Sequence, residues 1–137
     1  MTGMPSFELT AHAGAPVEEV WKLLHDPSRF PQWWAGVETV RTGPDDVYTM
    51  WPENYPDFPM DQRLQSTARP GRVTISCLVS DLVYTWELRA DGEETDIDVH
   101  VDIPEREAHR LSVQSDLIRA SIDRLAELAG ADGTRAR

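Results

Sequence analysis

The chain has 137 residues, 40% hydrophobic and 27% charged, a composition that suits one globular domain with a core of its own. Its 24 acidic and 13 basic side chains leave a formal net charge of −11, which repels phosphate backbones and anionic membranes and argues against a nucleic-acid partner. No apolar run approaches the roughly eighteen residues of a membrane span, the N-terminus lacks the order of a secretory signal, and the single Cys77 rules out an internal disulfide.

After a few N-terminal residues expected to be disordered, Phe7 to Ala13 alternates as a first strand. Ala15 to Trp34 (APVEEVWKLLHDPSRFPQWW) then reads as two short helices. Pro16 suits a first helical position, Glu18 and Glu19 favour the first turn, and Val17, Val20, Trp21 and Leu24 form one apolar face. Asp26 is a second cap with Pro27 behind it, and Phe30, Pro31, Trp33 and Trp34 close the unit. Gly36 breaks the helix. Val37–Arg41 and Val47–Trp51 are strands around the turn Thr42-Gly43-Pro44-Asp45.

Pro52 to Pro59 (PENYPDFP) carries three prolines and cannot be a central strand, so it reads as an ordered loop or lid. Strands are expected at Leu64–Ala68, Val73–Val79, Tyr84–Ala90 and Thr95–Ile103. In the last of these, Ile97, Val99, Val101 and Ile103 share one face, opposite Asp96, Asp98, His100 and Asp102. Pro104 ends it. A helix follows from about Arg106 to Ala129, roughly 35 Å long, with Leu111, Ile118, Ile122, Leu125 and Ala129 on one face. One domain over residues 6–129 and a flexible tail over 130–137 are expected.

The pattern P-x-x-x-V-W…D-x-x-x-F-P-x-W at Pro16–Trp33 resembles the opening of the START-like (Bet v 1-like, SRPBCC) superfamily, which includes polyketide cyclase/dehydrase-type proteins. The order of elements, β, two short helices, about six strands and a long helix, is similar to that family over nearly the whole chain. The resemblance implies an α+β helix-grip fold, with a curved antiparallel sheet wrapped around the C-terminal helix and an apolar cavity between them.

Within that frame Gln114 and Ser121 fall on the inward stripe of the last helix, with Ser115 at its edge. Each either contacts a ligand or finds a local hydrogen-bond partner, since a buried polar group needs one. Trp51, Tyr55 and Phe58 flank the proline-rich segment where a cavity mouth is expected. Trp51, Tyr55, Phe58, Trp86, Val99, Gln114, Ile118 and Ser121 are the expected cavity residues, and aromatic rings suit a flat ligand. Trp21 and Trp33 read as core.

His12, His25, His100 and His109 form no H-x-x-x-H or H-E-x-x-H pair. His100 between Asp98 and Asp102 reads as a solvated face rather than a cation site, so no metal is expected. G-x-S-x-G, P-loop and dinucleotide motifs are missing, and no cofactor is expected. Cys77 reads as a small apolar strand residue.

The leading expectation is binding of a hydrophobic or aromatic small molecule, lipid- or polyketide-like, in the central cavity. The alternative is a polyketide cyclase/aromatase-like enzyme. Its candidates for stabilising an enolate or oxyanion are Arg63 and Tyr84, with Arg69 and Arg72 assigned to a surface turn. A second alternative is a protein-interaction module of the chaperone-cofactor type. The expected state is a cytoplasmic monomer or weak homodimer with no membrane span.

Overall fold

Strict alternation of apolar and polar residues builds a sheet with one dry and one wet face, and the sheet positions everything else. The computed structural model describes residues 5–67 and 71–130, with helical backbone continuing to 135. Arg69 of the expected turn lies outside the described residues.

The elements are β1 (Ser6–Ala13), α1 (Val17–Leu24), a 3-10 turn at Pro27–Arg29 and α2 (Phe30–Trp33). Then come β2 (Val37–Thr42), β3 (Val47–Pro52), β4 (Met60–Ser66), β5 (Arg72–Cys77), β6 (Val83–Asp91) and β7 (Glu94–Asp102). A 3-10 stretch at Glu105–Arg110 leads into α3 (Leu111–Arg135). All seven strands form one antiparallel sheet in the order β1-β7-β6-β5-β4-β3-β2. The first strand thus pairs with the last, and the helices bridge from one edge of the sheet to the other.

Local chemistry explains the helical pair. Asp26 accepts hydrogen bonds from the Ser28 N–H (3.0 Å) and the Ser28 hydroxyl (2.7 Å), which caps the 3-10 turn. Pro16 is the residue before α1 rather than its first member. Val20, Leu23 and Leu24 are buried, whereas Trp21 is half-buried and stacks on His25 at 5.2 Å. Trp33 is fully buried and its indole N–H donates to the Leu23 carbonyl at 2.9 Å, joining the two helices.

The long helix begins five residues later than its periodicity suggests. Leu111 N–H bonds to the Ala108 carbonyl three residues back, and Arg110 reaches Glu107 at 2.5 Å across the same spacing. Both contacts suit a 3-10 turn, where residues three apart eclipse. Leu111 is therefore exposed at the helix start. Ile118, Ile122, Leu125 and Ala129 are buried as expected, and the three large ones contribute on the order of 5–9 kcal/mol. The helix continues past Ala129 because one glycine weakens a helix without ending it. α3 packs along β1 and against α1 and α2.

Candidate functional site

Strand register puts a row of polar side chains on the inner face. Tyr48 on β3 is opposite Gln62 on β4, and Gln62 is opposite Cys77 on β5. One step along, Ile75 is opposite Tyr84, and Val73 opposite Trp86. All of these residues are buried, with Tyr48 and Gln62 each 4% exposed. Gln62 Nε2 donates to Cys77 Sγ at 3.3 Å, and the Ser80 N–H approaches the same sulfur at 3.5 Å. Between the sheet and α3, the Tyr84 hydroxyl donates to Gln114 Oε1 at 2.9 Å.

The row is uncharged. Inward positions on β3 to β6 hold Tyr48, Met50, Met60, Gln62, Leu64, Val73, Ile75, Cys77, Tyr84, Trp86 and Leu88, with no carboxylate, lysine or arginine among them. Burial pushes the Tyr48 phenol up, helped by Tyr84 and Cys77. Burial likewise pushes the Tyr84 phenol up, with Cys77 adding to the effect and Arg110 opposing it. Both phenols therefore stay protonated at physiological pH and act as donors, not bases.

Aromatic rings fill the end of the interior nearest α1 and α2. Trp34 is their hub, touching Phe30 (5.2 Å), Trp33 (5.3 Å), Tyr84 (5.1 Å) and Trp86 (5.5 Å). At the other end Val40, Met50 and Met60 form a cross-strand row that stays partly exposed, as does Gln114.

The structure separates the expected cavity residues into two groups. Trp86, Val99, Gln114, Ile118 and Ser121, together with the candidate donor Tyr84, all lie in the interior or at its rim. Ser121, however, faces backbone: its hydroxyl accepts from the Ala35 N–H at 2.8 Å and donates to the Leu117 carbonyl at 2.6 Å. Trp51 is on the outer face, because Tyr48 and Met50 take the inward positions of β3. Arg41 sits 5.5 Å over the Trp51 ring, and Trp51 lines an open groove of about 510 Å³ with Thr39, Pro52 and Pro56. Arg63 also points outward, between inward Gln62 and Leu64, and is exposed, so it cannot serve an interior enolate. Tyr55 and Phe58 pack edge to face at 6.1 Å on the loop surface, 58% and 64% exposed.

Tyr48, Gln62, Cys77 and Trp34 were not among the expected ligand-cavity residues. The signal for Gln62 was in the chain: it falls in step with Leu64 at a position that alternation makes apolar. Beginning that strand at Leu64 instead of Met60 hid it.

The histidines lie outside this site. His12 on β1 places Nδ1 2.8 Å from Asp96 and Nε2 2.6 Å from Glu94, and these carboxylates push its pKa up to about 9. His12, Asp91 and Asp96 bring ligand-type atoms within 4.8 Å of one another, and because the carboxylates favour the imidazolium form, the ring would have to give up a proton to ligate a metal. His100 bonds Glu8 (2.9 Å) and Asp102 (3.0 Å), whereas Asp98 is held by Arg89.

A seven-stranded antiparallel sheet gripping a long C-terminal helix, with two short helices after the first strand, defines a helix-grip protein of α+β class. The match to a family model over residues 4–130 makes it more specific: the chain belongs to the polyketide cyclase/dehydrase and lipid transport family. No curated protein matches it. Among solved structures it is similar to the Zhui aromatase/cyclase from Streptomyces sp. R1128, with TM-score 0.80 and 17% identity over 98% of this chain and 97% of that one. Protein NE0264 from Nitrosomonas europaea matches with TM-score 0.76 and 15% identity over 100% of both chains. The di-domain ARO/CYC BexL of the BE-7585A biosynthetic pathway matches with TM-score 0.75 and 14% identity, over 90% of this chain and 46% of BexL. At these identities the likeness is one of fold. No helix among the described residues is long and apolar enough to cross a membrane.

Proposed function

We propose that this protein binds an apolar, flat small molecule between the inner face of β3–β6 and the N-terminal half of α3, entering past Val40, Met50 and Met60. The observation that carries this reading is the Tyr48–Gln62–Cys77–Tyr84–Gln114 row. Five polar side chains converge on one interior surface, and only part of their hydrogen-bonding capacity is used internally. Buried polar groups need partners to avoid a penalty, and a ligand with polar atoms would use the hydrogen-bonding capacity that the row leaves over. Aromatic walls at Trp34 and Tyr84 offer rigid faces for a planar ligand. The family includes lipid transport and polyketide chemistry, and both use apolar cargo. Native mass spectrometry of protein purified from its own host tests the reading. A stoichiometric co-purifying small molecule is expected, and consistently bare protein that also binds no planar aromatic probe overturns it.

A second reading, a cyclase-type enzyme, is favoured by one observation. Tyr48 and Tyr84 are two protonated phenols on one surface, and Tyr48, together with Tyr84 once its O–H turns from Gln114, can stabilise an enolate oxygen as charge develops on it. Turnover of a poly-carbonyl substrate that falls in the Tyr84→Phe variant, while its binding persists, distinguishes catalysis from carriage.

A further inference from the structure

Among the described residues two buried side-chain polar atoms have no hydrogen-bond partner, Asp98 Oδ1 and Trp86 Nε1. Asp98 belongs to the outer face and its other oxygen is held by Arg89, so the carboxylate is anchored. Trp86 is different. It is fully buried on the inner face, opposite Val73 and Val99, and edge-on to Trp33 (5.2 Å, 85°) and Trp34 (5.5 Å, 69°). None of these neighbours offers a side-chain lone pair, and a buried N–H without an acceptor destabilises the fold that holds it.

The rest of the inner face leans the same way. The Tyr48 hydroxyl has no partner among the described residues, and the Gln114 amide uses only its oxygen, as acceptor from Tyr84. Trp86 Nε1 is the inner-face donor that, among the described residues, is both buried and unpaired, and what it lacks is an acceptor. No lysine or arginine occupies the inward positions of β3–β6, which disfavours a carboxylate head group against the sheet. A hydrocarbon would leave the donors unpaired. What complements the surface is a flat, uncharged ring system bearing carbonyl oxygens.

We propose that Trp86 is a specificity-determining residue, its indole N–H donating to a carbonyl oxygen of a neutral aromatic ketone or quinone. This rests on the small-molecule reading above. The ring of the ligand takes the place of the Trp34 indole, which now lies edge to face against both Tyr84 and Trp86. Trp34, at the C-terminal end of α2 and two residues before the turn at Gly36, is the ring that has to move for this.

The test compares 9-fluorenone with fluorene, the same flat skeleton with and without the carbonyl, titrated into the full chain. The wild type is expected to prefer fluorenone by about tenfold, the effect of one hydrogen bond to an otherwise unpaired donor. Trp86→Phe is expected to lose that preference and bind the two probes equally. Equal binding by the wild type, or a preference that persists in Trp86→Phe, overturns the inference and leaves the small-molecule reading intact. Binding of neither probe overturns that reading, and the inference with it. Should Trp86→Phe fail to fold, the ¹⁵N-labelled wild type serves instead: its Trp86 indole proton moves downfield with fluorenone and not with fluorene. An upfield indole proton that fluorenone leaves unmoved assigns the N–H to the face of a neighbouring tryptophan and also overturns the inference.

Discussion

Ser121→Ala separates a ligand contact from a structural latch. Ser121 is fully buried on α3, and its hydroxyl is fully used, accepting from the Ala35 N–H at 2.8 Å and donating to the Leu117 carbonyl at 2.6 Å. Ala35 belongs to the turn between α2 and β2, where Gly36 holds a positive φ and Leu117 lies against it. Removing the hydroxyl leaves the half-buried Ala35 N–H without its acceptor, a loss of about 1–3 kcal/mol. Alanine is the better helix former by roughly 0.5 kcal/mol, which offsets part of that. The net expectation is a destabilisation of about 1–2 kcal/mol, or roughly 3–8 °C in Tm for a domain of this length. Urea unfolding followed by tryptophan fluorescence measures it, with an unchanged m-value. A stability within about 0.5 kcal/mol of wild type, together with altered affinity for fluorenone, would refute the reasoning and return Ser121 to the ligand.

Three further outcomes follow from the same geometry. The raised pKa of His12, from 6.5 to about 9 through Asp96 and Glu94, means its contribution to stability is complete below the ordinary histidine range and is lost as pH rises through about 9. The wild-type urea midpoint should therefore fall across that window, and His12→Gln should flatten the fall; parallel profiles would show the pairing to be inert. Arg63→Ala, on the exposed outer face, should change stability by no more than about 0.5 kcal/mol and leave probe affinity unchanged, and a loss of affinity in titration would place it in the site after all. Tyr84→Phe removes the donor to Gln114 Oε1, and because Gln114 is only half-buried water can replace it, so the unfolding free energy should drop by about 0.5–1.5 kcal/mol.

Much of this architecture is legible in the chain because two periodicities are strong. Ile97, Val99, Val101 and Ile103 alternate without a break, and Ile118, Ile122, Leu125 and Ala129 hold the helical stripe; the structure buries all of them. The site is less legible, for reasons of parity and pairing. Trp51 and Arg63 are near the expected mouth in sequence, yet each is one residue out of phase with the inward positions, and a strand turns that single step into the opposite face. Gln62 sits in the polar run Asp61-Gln62-Arg63, which masks a strand until Cys77 is placed beside it by register. Trp86 reads as one more aromatic strand residue. That its N–H lacks an acceptor depends on which side chains meet it from β5, β7 and α2, and no local pattern carries that.

The central claim is that the ligand surface is the inner row and not the outer Trp51 groove. Side-chain and backbone chemical-shift mapping of the ¹⁵N,¹³C-labelled protein titrated with 9-fluorenone tests it most directly. Perturbations should cluster at Tyr48, Gln62, Tyr84, Trp86 and Gln114, with Trp34 moving most. Shifts confined to Thr39, Trp51, Pro52 and Pro56 would contradict the claim and place binding on the opposite face of the sheet.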